Sequence, residues 1–120
     1  MSFEACELTQ KKCKPCEGGV DPLTRDEAEN FLQQTPDWII SDDGIRIRKD
    51  WKVKNFMAAM DFFNKASEVA EDEGHHPDFH LVGYRNMSVE LWTHAIGGLS
   101  ENDFIVAAKI DQLPVEMQEA

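Results

Sequence analysis

Trp38-Ile39-Ile40-Ser41-Asp42-Asp43-Gly44-Ile45-Arg46-Ile47-Arg48 sets two apolar runs on either side of an Asp-Gly pair. Asp and Gly tolerate the backbone conformations of a tight turn, so the stretch predicts a β-hairpin. Ile45, Ile47 and Trp51 share one parity and Arg46 and Arg48 the other, which predicts one buried and one wet face. A second strand pair is expected at Phe79–Tyr84 and Met87–His94, turned at Arg85-Asn86. There Met87, Val89 and Leu91 alternate with Ser88, Glu90 and Trp92.

Helices bracket and separate these hairpins. Thr24-Arg25-Asp26-Glu27 has the capping-box pattern, with Ala28, Phe31 and Leu32 as its apolar stripe and Pro36 to end it. Residues 55–73 predict the longest helix, with Phe56, Met60, Phe63, Ser67 and Ala70 on one stripe and Gly74 as its stop. Glu71, about three turns beyond Met60, is expected on that same stripe. Ser100-Glu101-Asn102-Asp103 opens a last helix, continued by Phe104, Ala107, Ala108 and Asp111 and limited by Pro114.

The order helix, hairpin, helix, hairpin, helix predicts an α+β fold: a four-stranded antiparallel sheet with three helices packed on one face. Such a sheet leaves its edges and second face open, which favours self-association. A chain of 120 residues makes one domain, expected over residues 21–120, with residues 1–20 as a flexible N-terminal arm. The net charge of −11 excludes nucleic-acid binding through a basic surface, and no apolar run is long enough to span a bilayer. Neither a signal peptide nor a transit peptide is visible, and three cysteines are an odd count, so a reduced, cytoplasmic setting is expected.

All four histidines, His75, His76, His80 and His94, fall within residues 75–94. Imidazole exchanges protons near neutrality, so this concentration points to acid–base work. Pro77 fixes the corner after His75-His76, and pairing of the last two strands would return His94 towards them. Trp92 has the parity of His94 and is the tryptophan best placed to meet a flat ligand. Plain alternatives stand beside these readings. The histidines could be a chance surface cluster, Glu71 could reach out to water at its helix end, and Asp103 could only cap its helix. A metal site is the weaker reading. His75, His76, His94, Asp78 and Glu71 are candidate ligands and Cys13-x-x-Cys16 is half a zinc motif, but its second half, HExxH and the zinc-finger spacing are missing.

Glu71-x-x-x-His75-His76-Pro77-Asp78, Tyr84, and Thr93-His94-x-x-x-Gly98-Leu99-Ser100-x-x-Asp103 together resemble the signature of the pterin-4a-carbinolamine dehydratases. The resemblance covers about residues 22–113. It implies dehydration of a 4a-hydroxytetrahydropterin to the quinonoid dihydropterin, in recycling of the tetrahydrobiopterin used by aromatic amino-acid hydroxylases. It implies no metal and no cofactor, the pterin being the substrate, and assembly as homodimers or homotetramers. The family's catalytic histidines carry over to His75, His76 and His94, and its acidic positions to Glu71 and Asp103. Pro77, Asp78, Trp92 and Thr93 complete the expected substrate-binding or orienting set. On this reading His75 and His94 form the acid–base pair and His76 holds and polarises the ligand. Glu71 and Asp103 orient imidazoles or meet the amino-pyrimidine edge. Some animal relatives serve as dimerisation cofactors of a homeodomain transcription factor, and some photosynthetic ones are linked to RuBisCO assembly. A non-catalytic interaction protein on the same fold is therefore the rival reading. Cys13-x-x-Cys16 could also be a redox pair, though no strand precedes it, and the role of Cys6, Cys13 and Cys16 stays open.

Overall fold

A computed structural model describes residues 8–13 and 21–118. The first regular element from residue 21 on is α1 (Arg25–Leu32). Thr24 caps it as its sequence predicts, its hydroxyl accepting the Glu27 N–H at 3.2 Å while Glu27 Oε1 accepts the Thr24 N–H at 2.9 Å. Then come β1 (Ile39–Ile40), β2 (Ile47–Lys52), α2 (Phe56–Glu73), β3 (Asp78–Val82), β4 (Asn86–Leu91), a 3-10 turn at His94–Ile96 and α3 (Glu101–Asp111). The strands form one antiparallel sheet in the order β1-β2-β4-β3.

The alternation holds through the sheet. Ile47, Trp51, Met87, Val89 and Leu91 are buried on one face, which the helices cover. Arg48, Asp50 and Glu90 stand on the other. Trp51 lies between Trp38, edge-on at 6.1 Å, and Phe62 at 5.0 Å, joining sheet to α2. Phe31 stacks on Phe104 at 5.4 Å and ties α1 to α3. Such aromatic pairs add about 0.5–1.5 kcal/mol each beyond the area they bury.

The first hairpin turns where expected, at Ser41-Asp42-Asp43-Gly44, with the Gly44 N–H bonding the Ser41 carbonyl at 2.9 Å, whereas the second turns elsewhere. In the first, β1 has only two paired residues, and Asp43 Oδ1 holds the loop by accepting the Ser41 hydroxyl at 2.6 Å and the Ile45 N–H at 3.1 Å. The second turns at Gly83-Tyr84-Arg85, not at Arg85-Asn86, because Asn86 is already paired with Val82. Gly83 and Tyr84 both take the left-handed conformation there, at φ 60° and 58°.

The buried stripe of α2 also differs from the expected one. It runs through Ala59, Phe62, Ala66, Ala70 and Glu73, leaving Phe56 and Ser67 exposed and Met60 and Phe63 on the flank. Glu71 is therefore on the solvent side, and the carboxylate that ends the apolar stripe is Glu73. A free arm is likewise not what residues 8–13 form. Leu8 is part of the core, and Lys12 pairs with Asp72 at 3.0 Å. Cys6 and Cys16 lie outside the described residues.

Candidate active site

Three chain segments converge at one end of the sheet. Gly74 ends α2 in the left-handed conformation, φ 66°, and the His75 N–H returns to the Ala70 carbonyl at 3.1 Å. This closure fits the preference of helix C-termini for glycine just past the last turn. Pro77 then leads the chain into β3. Because β3 pairs with β4 in the register Asp78↔Glu90, the residues beyond Leu91 run back past His75 and His76. The third segment is the turn into α3. There the Thr93 N–H bonds the Gly98 carbonyl at 2.8 Å, and a Cβ on Gly98 would lie 2.7 Å from the ring of Pro22, so only glycine fits without movement.

Asp103 binds these segments together. It is fully buried. Its Oδ2 accepts the Thr93 hydroxyl at 2.8 Å and the Ser100 N–H at 2.9 Å, while Oδ1 lies 2.6 Å from His75 Nε2. The two readings of Asp103 therefore hold together: it caps α3 and orients an imidazole across the Gly97-Gly98 turn. Both of its oxygens are engaged inside the protein, which removes it from direct contact with a ligand. Thr93 is buried and works in this scaffold, its hydroxyl also 2.7 Å from that of Ser100.

His76 Nε2 lies 2.7 Å from Glu71 Oε1 in an exposed pair. His94 is exposed, and its ring stands against that of Trp92 with centroids 3.9 Å apart. Arg46 lies over the same indole at 5.2 Å. Trp92 is thus packed against both the His94 imidazole and the Arg46 guanidinium.

An open pocket of about 520 Å3 is lined by His75, His76, Trp92, Thr93 and His94 together with Cys13, Glu73 and Asn102. Of the predicted residues, Glu71 and Asp103 stand behind imidazoles, and Asp78 is exposed at the start of β3 and is not among the residues that line the pocket. His80 is apart from the site, paired with Glu90 at 2.7 Å on the sheet. Among the described residues no group of three or more His, Cys, Asp or Glu side chains is arranged to hold a metal ion, and no helix is long and apolar enough to cross a membrane.

Sequence reasoning missed Glu73 and Cys13. Glu73 Oε1 accepts the Cys13 N–H at 2.8 Å, and Oε2 pairs with the Lys109 ammonium. Burial works to raise the Glu73 carboxyl, but Lys109, the Cys13 N–H and Lys12 outweigh it and hold it below its ordinary range. Burial, reinforced by the Glu73 charge, pushes the Cys13 thiol up to about 12. A buried, ionised glutamate at a pocket wall has a signal in sequence only as an acidic residue ending an alanine-lined stripe, and here the larger side chains of the neighbouring stripe obscured it.

Comparison with known proteins adds an independent line. The family model described as pterin 4 alpha carbinolamine dehydratase matches residues 21–113. A Methylococcus capsulatus protein carrying the pterin-4-alpha-carbinolamine dehydratase name is 48% identical over 114 residues, covering 95% of this chain and 99% of that one. The mitochondrial pterin-4-alpha-carbinolamine dehydratase 2 of Arabidopsis thaliana is 47% identical over 113 residues; the match takes in 92% of this chain but 60% of the longer plant protein. A crystal structure of a transcriptional coactivator/pterin dehydratase from Brucella melitensis superposes with a TM-score of 0.70 at 31% identity, covering 76% of this chain and 96% of that one.

Proposed function

Since the chain belongs to the pterin-4a-carbinolamine dehydratase family, we propose that it dehydrates a 4a-hydroxytetrahydropterin to the quinonoid dihydropterin and water. The observation that carries the reading is the ring of three imidazoles, His75, His76 and His94, on one open pocket, with a carboxylate behind two of them.

The reaction breaks the C4a–O bond and makes C4a=N5. One proton goes to the leaving hydroxyl, which departs as water, and one leaves N5. Substrate and product differ by water alone, so the step asks for no oxidant or reductant. His75 and His94 share the two proton transfers. With Asp103 Oδ2 already accepting two donors, Oδ1 takes the Nε2–H of His75, leaving Nδ1 to exchange a proton with the ligand. Trp92 fixes the ring of His94 from one side and offers an apolar surface to the flat pterin. His76, oriented by Glu71, holds and polarises the substrate. General acid–base help of ~10²–10⁴-fold suffices for a reaction that already proceeds slowly in water.

The same reading places the enzyme in the cytoplasm, beside an aromatic amino-acid hydroxylase that generates the carbinolamine, in tetrahydrobiopterin recycling. It also takes the protein as a homodimer or homotetramer. Edge strand β3 supports this with Val82 69% and neighbouring Tyr84 55% exposed. The coactivator half of the Brucella description supports a second reading, a protein-binding role on the same fold.

Stopped-flow decay of freshly generated 4a-hydroxytetrahydropterin tests the proposal. Wild type should accelerate it by ~10²-fold or more, and His75→Ala/His94→Ala should abolish the effect. Absence of acceleration by folded wild type would turn the search to protein partners. If His76→Ala stops the chemical step while His75→Ala only weakens binding, the role assignment is wrong.

A further inference from the structure

The family match begins at residue 21, yet the pocket has a wall from before it: Cys13 lines the cavity beside Glu73 and Asn102. The stretch that carries Cys13 is fastened at four points. Leu8 is buried to 1% in the common core. Lys11 pairs with Glu101, at the start of α3, and Lys12 with Asp72 in the last turn of α2. The Cys13 N–H enters the Glu73 carboxylate, whose side chain is 1% exposed and whose second oxygen holds Lys109 of α3. The Cys13 thiol reaches the Asn102 carbonyl at 3.6 Å.

An ionised carboxylate is expensive to bury unless its oxygens are satisfied. Glu73 meets that condition with the Cys13 N–H and the Lys12 ammonium, at 3.7 Å, from the N-terminal stretch and the Lys109 ammonium from α3. These three partners belong to different parts of the chain, and they meet only when residues 8–13 are docked. Glu73 also directly precedes Gly74 and His75, so the same anchor adjoins the end of α2 from which the catalytic imidazole departs.

We propose that residues 8–13 are a built wall of the pterin pocket, with Cys13 as a substrate-contacting specificity residue and Glu73 as the positioning residue that fastens it to α3. The proposal rests on the dehydratase reading for its substrate and on the contacts above for its architecture. The wall shares the pocket lining with the imidazoles but supplies none of the proton-transfer groups, so losing it should weaken substrate binding more than the proton transfers.

The test uses the full chain with Cys6→Ser and Cys16→Ser, so that Cys13 is the one thiol, and reads iodoacetamide alkylation and steady-state kinetics together. Leu8→Asp releases the stretch without placing a charge among the Cys13 contacts; Glu73→Gln weakens the anchor itself. In the parent, alkylation should be slow, as a docked and protonated thiol requires, and slower still with a saturating dihydropterin. Leu8→Asp should speed alkylation by about tenfold or more, abolish protection by the dihydropterin and raise KM several-fold, with kcat within about twofold. Glu73→Gln should shift KM in the same direction. Cys13→Phe, which thickens the wall while keeping its backbone N–H, should also raise KM with little change in kcat. Unchanged alkylation in Leu8→Asp would overturn the docking. Faster alkylation in Leu8→Asp, with KM unchanged in all three variants, would overturn the wall. If the parent shows no dehydratase turnover but Cys13 is still protected by the dihydropterin and freed by Leu8→Asp, the wall stands and the catalytic reading falls.

Discussion

Two histidine–carboxylate pairs of almost equal length flank the pocket, and they live in different media. His75 and Asp103 meet at 2.6 Å with side chains 12% and 0% exposed; His76 and Glu71 meet at 2.7 Å at 62% and 78%. Distance alone would rank them together. Burial separates them, because a water-screened ion pair contributes about 0–1 kcal/mol, whereas removing one member of a buried, hydrogen-bonded set leaves groups unsatisfied. Asp103 also serves His75, Thr93 and Ser100 at once. The Glu71 carboxylate serves His76 from the solvent side. The inner pair is thus part of the fold and the outer pair is an addition to its surface.

This difference can be broken from the inside first. Asp103→Ala should lower kcat by ~10²–10⁴-fold and cost about 2–4 kcal/mol of stability, read by denaturant unfolding, since three donors lose their acceptor at once. An effect on activity with no loss of stability would mean that the carboxylate is not the structural hub described.

Glu73 sharpens the comparison as a buried carboxylate with no histidine. Its folded-state ionisation is depressed below the ordinary 4.5, so the stability it contributes is present above that value and is lost as the pH falls through the folded one. Wild type should exceed Glu73→Gln in stability at pH 7, with the gap closing in acid below pH 4.5. A gap independent of pH would contradict an ionised Glu73.

Glu71→Gln should change kcat/KM by only a few-fold, in keeping with about 0.2–1 kcal/mol for an exposed pair, and added salt should shrink the difference further. A loss approaching that of Asp103→Ala would erase the distinction between the pairs. The third pair, His80 with Glu90 on the sheet, sets the floor: His80→Gln should leave turnover unchanged and stability within about 0.5 kcal/mol.

What the sequence made legible follows the same division. The capping box at Thr24, the glycine stop at Gly74 and the strand parities were readable because each is fixed by residues close together in the chain. The convergence of His75, His76 and His94 was readable because one hairpin register determines it. The buried face of α2 was not. Its small alanines carry less apolar bulk than the phenylalanines and methionines beside them, so a stripe drawn through the larger residues was rotated, and Glu71 took the place of Glu73. The docking of residues 8–13 was hidden for another reason. A single buried leucine and two lysine ion pairs to distant helices leave no local periodicity to read.

The most direct test of the account is single-turnover dehydration by Asp103→Asn. That variant keeps the size of the side chain and puts an amide where the carboxylate oxygens accept Thr93, Ser100 and His75. With folding verified by circular dichroism, a fall in the chemical rate of ~10²-fold or more, with substrate still bound, is expected from a misoriented His75. A rate within about twofold of wild type in the folded variant would show that His75 does its work without Asp103, and would contradict the central claim.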